Sequence, residues 1–223
     1  MTPAPLQLVI FDCDGVLIDS ELLSAEVCAE EITRVGWHMT AAESMKRFVG
    51  YRLSDMPPVI EAHLGYKLAE GWVELVRTRM IQAFDDVKTI PGALEALQAT
   101  TALGLPYRVA SNSAHEEMAK KFAVTGLAHL LEGRKHSARD VPRGKPAPDV
   151  FLAAAAAEAV PPAACLVVED SLPGIAAARA AGMTVVGLET HGNANLLRQA
   201  GAHPIGSLAE LPAILRAARH QAA

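Results

Sequence analysis

The fold is decided by the stretch LQLVIFDCDG, residues 6–15. Its apolar run, residues 6–11, has the length and the β-branched content of a strand that is buried on both faces. The run ends at two carboxylates, Asp12 and Asp14, and Gly15 follows them. Because ligands in an open parallel sheet bind beyond the carboxyl ends of the strands, this polar cluster is a candidate functional site.

Outward from this stretch, apolar runs alternate with helical patterns. Three further runs of strand character lie at residues 107–110, 166–168 and 184–188. The helical patterns between and after them cover residues 93–103, 114–124, 148–159 and 175–181. This alternation predicts an α/β fold with a doubly wound, parallel, Rossmann-like sheet.

Residues 17–86 interrupt the alternation, because they offer helical patterns and no convincing strand. One helix is predicted to begin after Ser20, and another begins at the capping-box sequence Thr40-Ala41-Ala42-Glu43. The two apolar stripes predicted to be buried are Leu22, Ala25, Cys28, Ile32 and Val35, and Trp72, Leu75, Val76, Met80, Ala83 and Phe84. We therefore expect a core of residues 1–16 and 87–223 with a helical subdomain, residues 17–86, inserted after the first strand.

The composition limits the class of protein and its partners. Of the 223 residues, 51% are hydrophobic and 20% are charged, which indicates a compact globular protein. The net charge of −5 and the lack of a dense basic tract argue against nucleic acid as the principal partner. The sparse cysteines, three without C-x-x-C spacing, are typical of reduced thiols, and no stretch suits a membrane span. We expect a cytoplasmic protein without a membrane partner, and a monomer is the simplest state.

Polar residues also follow the second and third apolar runs. These are Ser111-Asn112-Ser113 and Glu169-Asp170-Ser171. Clustered carboxylates repel one another, so such a site needs a cation or raised pKa values of the carboxylates, and as the cation Mg²⁺ suits oxygen ligands better than zinc does. Lys145 lies between Gly144 and Pro146, just before a predicted helix, and a fixed ammonium group there would suit a phosphoryl group.

Taken together and in this order, four motifs resemble those of the haloacid dehalogenase superfamily. The motifs are Phe11-Asp12-Cys13-Asp14-Gly15-Val16-Leu17, Ser111-Asn112, Lys145-Pro146-Ala147-Pro148-Asp149 and Val167-Val168-Glu169-Asp170-Ser171-Leu172-Pro173-Gly174. The resemblance runs from about Leu6 to Leu188 and includes a helical cap inserted after the first motif. It implies a Mg²⁺-dependent transfer of a phosphoryl group through an aspartyl-phosphate.

The resemblance also implies the roles of individual residues. Asp12 would attack phosphorus, and Asp14 would protonate the leaving oxygen and then activate water. The Asp12 carboxylate, the Asp14 backbone carbonyl and Asp170 would hold Mg²⁺. Glu169 would either bind the ion directly or contact the residues that bind it. The residues that would bind the phosphoryl oxygens are Ser111, Asn112 and Lys145.

Within the superfamily, the sequence favours a phosphatase of a small phosphorylated metabolite. Asp14 and the Glu169-Asp170 pair argue against the dehalogenase branch, which lacks the second aspartate and needs no metal. The alternative is an enzyme similar to β-phosphoglucomutase, but Ser24 stands where that group has a cap histidine. The loop Gly50-Tyr51-Arg52 is also one residue shorter than its Gly-x-x-Arg.

The cap segment, residues 46–53, is similar to the caps of bacterial phosphatases that act on small metabolites, including 6-phosphogluconate-type substrates. Arg52 is the candidate contact to the remote groups of the substrate. A binding or regulatory module without turnover is the alternative from another class, and the presence of every chemically demanding residue argues against it.

Overall fold

A computed structural model describes residues 5–48, 51–190 and 192–220. The chain divides into two compact units. The first unit contains the chain up to residue 18 and from residue 89 onward, and the second comprises residues 19–88. The boundaries expected from the sequence, after residues 16 and 86, each lie two residues earlier.

The first unit is built on a six-stranded parallel sheet. The strands of the described residues are β1 Leu8–Phe11, β2 Ile18–Asp19, β3 Lys88–Thr89, β4 Tyr107–Ser111, β5 Lys135–Ser137, β6 Cys165–Glu169, β7 Thr184–Leu188 and β8 His203–Ile205. The order in the large sheet is β5-β4-β1-β6-β7-β8, while β2 and β3 pair in a separate two-stranded sheet. The predicted α/β fold with a parallel, Rossmann-like sheet is confirmed.

The four apolar runs of the sequence form the inner strands β4, β1, β6 and β7. Every residue of β1 and β6 is buried, as expected for strands that are covered on both faces. The sequence did not indicate β5 and β8, which lie at the two edges of the sheet. Their sequences, Lys135-His136-Ser137 and His203-Pro204-Ile205, contain no apolar run because an edge strand is less enclosed.

The second unit is helical. Its α-helices are α1 Glu21–Arg34, α2 Ala41–Phe48, α3 Pro57–Leu64 and α4 Trp72–Ala83. They share a buried cluster that includes Ile32, Ile60 and Val76. The predicted capping box forms, since Thr40 N–H donates to the Glu43 carboxylate and Glu43 N–H donates to Thr40 Oγ1.

This part of the chain also corrects the sequence interpretation. Residues 18–19 form strand β2, where the sequence predicts none, and two residues are too few to produce an alternating pattern. The sequence missed α3, which begins at Pro57, although proline is favoured in the first turn of a helix. Leu22 and Leu75, predicted to be buried, are 53% and 50% exposed, and both lie in the first turn of their helices, α1 and α4.

The remaining helices belong to the first unit. They are α5 Ala93–Ala102, α6 His115–Val124, α7 Ala128–Leu131, α8 Asp149–Ala157, α9 Leu172–Ala180, α10 Ala194–Gln199 and α11 Leu211–His220. Phe151 of α8 and Ile175 of α9 pack in one buried cluster with Ile10 and Val167 of the sheet. Full burial of such side chains stabilises the fold by about 1.5–3 kcal/mol each.

The state of the cysteines was also predicted. Cys13, Cys28 and Cys165 are buried free thiols, as the sequence indicates. Within the described ranges, no helix is both long and apolar enough to cross a membrane.

Candidate active site

Three adjacent strands end at the same edge of the sheet and bring polar residues together. Asp12 directly follows β1, Ser111 is the last residue of β4, and Glu169 is the last residue of β6. The register pairs the last residue of β1 with Val109 of β4 and with Val168 of β6. Asp12 therefore lies between the ends of the two neighbouring strands.

A cluster of carboxylates occupies this edge. Asp12, Glu169 and Asp170 are buried, and each offers an oxygen that lies within 4.8 Å of the others. Two carboxylates about 4 Å apart repel by roughly 4 kcal/mol at an effective dielectric constant of 20. Gly15 has φ +76°, and a Cβ at this position would overlap the Asp170 carboxylate. The glycine is thus required both by the backbone conformation and by the close approach.

The Lys145 ammonium lies against this cluster. Its Nζ donates to Asp12 Oδ1 at 2.7 Å and to Glu169 Oε1 at 2.7 Å. Burial would lower the pKa of Lys145, but the two carboxylates raise it above its ordinary value. Burial raises the pKa of Asp12 from 3.8 to about 7, and the Lys145 ammonium only partly opposes the rise. Further positive charge beside Asp12 would favour its ionised form.

The loop that carries Lys145 is held by Asn112. Asn112 Oδ1 accepts a hydrogen bond from the Lys145 N–H at 2.9 Å, and Nδ2 donates to the Lys145 carbonyl at 3.4 Å. A Cβ at Gly144 would lie 2.7 Å from Asn112 Oδ1, so the glycine gives the amide room to approach. The peptide bond between Lys145 and Pro146 is cis. The Asn112 side chain therefore positions the lysine loop, a role that the sequence did not indicate.

The start of α9 fixes the Glu169 carboxylate. Glu169 Oε2 accepts hydrogen bonds from the N–H groups of Asp170 and Ser171 at 2.9 and 2.8 Å and from Ser171 Oγ at 2.9 Å. Ser171 Oγ also accepts the Gly174 N–H, which caps the helix. A Cβ at Gly174 would overlap Glu169, so the close approach of this turn to the carboxylate requires a glycine. Pro173 lies in the first turn, where proline is favoured.

Asp14 lies outside the group of three carboxylates and has its own partners. Its Oδ2 accepts a hydrogen bond from Ser113 Oγ at 2.7 Å, and its Oδ1 accepts one from Lys121 Nζ at 2.5 Å. Lys121 is absent from the set of site residues predicted from the sequence. A signal for it exists, because Lys121 shares the face of α6 that carries the buried residues Met118 and Phe122.

Ser111 and Arg52 complete the predicted set. Ser111 is buried, and its Oγ accepts the Ser113 N–H at 3.0 Å. Arg52 belongs to the second unit, where Nε and Nη2 donate to the two carboxylate oxygens of Asp55 at 2.9 and 3.2 Å. Gly50 of the predicted Gly50-Tyr51-Arg52 loop lies outside the described residues.

Comparison with known proteins agrees with this geometry. A model of haloacid dehalogenase-like hydrolases matches residues 6–182. The chain is 31% identical over 182 residues to the 6-phosphogluconate phosphatase of Escherichia coli K12, covering 81% of each chain. It is 30% identical over 196 residues to the validoxylamine A 7'-phosphate phosphatase of Streptomyces hygroscopicus, covering 87% of this chain and 91% of the relative.

A solved structure gives the same result. It is a HAD family hydrolase from Deinococcus radiodurans with bound phosphate and sodium. The identity is 34% with a TM-score of 0.78, and the match covers 96% of this chain and 97% of the other.

Fold, site and relatives together define a phosphoric monoester hydrolase. The chain belongs to the haloacid dehalogenase-like hydrolases. The family resemblance predicted from the four sequence motifs is confirmed.

Proposed function

We propose that this phosphatase is Mg²⁺-dependent and hydrolyses a small phosphorylated metabolite through an aspartyl-phosphate on Asp12. The observation that carries the proposal is the position of the Asp12 carboxylate. It is buried at the end of β1, 2.7 Å from the Lys145 ammonium and within the cluster formed with Glu169 and Asp170.

The donor set supports a hard divalent cation. The clustered ligand atoms of Asp12, Glu169 and Asp170 are all carboxylate oxygens, which Mg²⁺ prefers. With Asp14 included there are four carboxylates. Asp12 and Glu169 contact the buried ammonium group of Lys145, and Asp14 contacts that of Lys121. When these six groups are all ionised, two negative charges remain among them, and a divalent cation would neutralise the excess.

The hydrogen bonds of each carboxylate suggest which of the carboxylates bind the metal ion. Both Glu169 oxygens already accept hydrogen bonds. We therefore propose that Asp12, Asp170 and the Asp14 backbone carbonyl bind Mg²⁺. Glu169 would contact the residues around the ion without binding the ion itself. Bound Mg²⁺ would neutralise charge on the phosphoryl oxygens and help to orient the substrate.

The residues of the chain would then act in sequence. The Asp12 carboxylate attacks phosphorus while Lys145, Ser111 and Asn112 hold the phosphoryl oxygens. Lys145 also orients Asp12 through their hydrogen bond. Asp14 donates a proton to the leaving oxygen and later accepts one from the water that hydrolyses the phosphorylated Asp12.

The helical unit supplies the proposed substrate specificity. We propose that it acts as a cap and that Arg52 contacts anionic or hydroxyl groups remote from the phosphate. The named relatives include phosphatases of 6-phosphogluconate and of validoxylamine A 7'-phosphate. A sugar phosphate or a 6-phosphogluconate-like compound is accordingly the proposed substrate class.

Phosphate release tests the proposal. The panel contains sugar phosphates, 6-phosphogluconate, nucleotides, glycerol phosphate and an aryl phosphate, each with Mg²⁺ and with a chelator. We expect phosphate release that the chelator abolishes and that Asp12→Asn does not show. One substrate class should release phosphate much faster than the others. Activity that appears only with a phosphorylated activator would favour the mutase. No release from any substrate by folded protein that binds Mg²⁺ would contradict the proposal.

A further inference from the structure

A buried lysine on α6 has no part in the proposed mechanism. Lys121 is 2% exposed. It directly precedes Phe122 and lies about one helical turn after Met118, and both of these neighbours are buried. Lysine is rarely buried unless it is paired, because removing its charge from water is unfavourable. The partners of Lys121 therefore indicate why this position carries a lysine.

Among these partners is Asp14. Lys121 Nζ donates to Asp14 Oδ1 at 2.5 Å, and Ser113 Oγ donates to Asp14 Oδ2 at 2.7 Å. Lys121 Nζ also donates to Ser113 Oγ at 3.2 Å, which closes a triangle of hydrogen bonds. Both oxygens of the Asp14 carboxylate are thus held at once.

Ser113 is itself anchored to the sheet. Its N–H donates to Ser111 Oγ at 3.0 Å, and its carbonyl accepts from Ser137 Oγ at 2.8 Å. Ser111 ends β4 and Ser137 ends β5. One side of the Asp14 carboxylate is therefore tied to two strand ends and the other to α6.

We propose that Lys121, together with Ser113, is a positioning residue that holds the Asp14 carboxylate at the leaving-group oxygen of the substrate. The inference rests on the proposed function of Asp14 as the general acid and base. Without the ammonium group, Asp14 loses the hydrogen bond that Oδ1 accepts from Lys121, and its carboxylate is held less firmly. A general acid that is misplaced by even a small distance transfers its proton poorly.

This role has a kinetic signature that depends on the leaving group. An alkyl phosphate releases a strongly basic alkoxide, which needs a proton as the P–O bond breaks. An aryl phosphate such as p-nitrophenyl phosphate releases a stable phenolate, which does not. The parameter kcat/KM covers binding and the steps through the first irreversible one, so it isolates the phosphorylation of Asp12 from the later hydrolysis.

The test compares Lys121→Met with Lys120→Met. Both substitutions remove one positive charge from α6, and Lys120 is the adjacent residue, partly exposed. For Lys121→Met we expect kcat/KM for the alkyl phosphate to fall about 100-fold and that for p-nitrophenyl phosphate to fall less than about threefold. Lys120→Met should match the wild type with both substrates.

Two further variants distinguish a loss of proton transfer from a loss of folding. Ser113→Ala removes the hydrogen bond from Ser113 Oγ to Asp14 and should show the same leaving-group dependence. In Asp14→Asn, adding Lys121→Met should cause no further loss with the alkyl phosphate, because both changes remove the same proton transfer. Circular dichroism and the Tm confirm that each variant is folded.

The outcomes separate this inference from the proposed function. If the wild type is active but folded Lys121→Met and Ser113→Ala lose kcat/KM equally with both substrates, or not at all, the inference alone is wrong. Independent losses in the double variant would also overturn it. If the wild type releases no phosphate, the proposed function and the inference fail together.

Discussion

The side-chain amide of Asn112 holds the backbone of Lys145 through both of its polar atoms. Oδ1 accepts the Lys145 N–H at 2.9 Å, and Nδ2 donates to the Lys145 carbonyl at 3.4 Å. The ammonium group of the same lysine reaches Asp12 and Glu169. A residue that directly follows β4 thus fixes the ammonium group that contacts the carboxylates at the ends of β1 and β6.

Removing this amide should disturb the lysine more than it disturbs the fold. Asn112→Ala loses two hydrogen bonds, each contributing about 0.5–1.5 kcal/mol, and frees the loop. We expect kcat/KM to fall at least about tenfold while the protein remains folded, since a misplaced catalytic group loses rate steeply. The measurement is steady-state kinetics, with Asn195→Ala as the control. Asn195 is exposed on α10, where its Oδ1 accepts a hydrogen bond from Arg198. Equal kinetics for the two variants would contradict the positioning role of Asn112.

Gly174→Ala should destabilise the protein, although alanine favours helices more than glycine does. The added methyl group would overlap the Glu169 carboxylate, and overpacking of this kind costs about 1–3 kcal/mol. A methyl group added at Gly206 would lie 3.7 Å from its nearest neighbour, so Gly206→Ala is the matched control and should be nearly neutral. Chemical denaturation measures both free energies of unfolding. An unchanged or increased stability of Gly174→Ala would show that Glu169 can move.

Arg52→Ala should affect the recognition of the whole metabolite more than the chemistry. We expect KM for the preferred substrate to rise about tenfold or more, and KM for a small aryl phosphate to change less than about twofold. Arg34→Ala is the control, because Arg34 is also exposed and also forms an ion pair within the second unit, with the buried carboxylate of Glu31. Steady-state kinetics of both variants gives the comparison. Equal increases of KM for both substrates would argue against a contact from Arg52.

The pH dependence of stability should include a contribution from His136. Burial, with the Arg108 charge, lowers the pKa of His136, so the folded state binds a proton less readily than the unfolded chain. The stability contributed by neutral His136 is therefore present above the unfolded pKa of about 6.5 and is lost as the pH falls below it. His136→Phe should lose less stability than the wild type between about pH 7 and pH 5. The exposed His203 of β8 provides the control variant His203→Phe.

Urea denaturation at several pH values measures these free energies of unfolding. As the pH falls, the free energy of unfolding of His136→Phe should rise relative to that of the wild type. Parallel pH curves for His136→Phe and the wild type would show that this histidine makes no such contribution.

The sequence predicted the inner part of the fold well because burial on both faces leaves a clear pattern. The run at residues 184–188 matches β7 in full, and the other inner strands agree to within two residues. The polar edge strands β5 and β8 were missed because an edge strand does not need an apolar run. The short β2 and the proline-initiated α3 were missed because their local patterns are weak or resemble breaks.

For the site, the sequence predicted which strand ends carry polar groups, and the topology then brought Asp12, Ser111 and Glu169 together. The contacts between distant positions were not predictable in the same way. The bond between Asn112 and Lys145 and that between Asp14 and Lys121 join residues that are far apart in the chain. A lysine at an apolar helix position was a local sign of such a contact.

The location of the phosphoryl group during turnover tests the central claim most directly. Asp14→Asn should slow hydrolysis of the intermediate, while an aryl phosphate still phosphorylates the enzyme without a general acid. Acid quenching followed by peptide mass spectrometry should then find the phosphoryl group on Asp12. A phosphoryl group on another residue, or turnover by Asp12→Asn at the wild-type rate, would contradict the account.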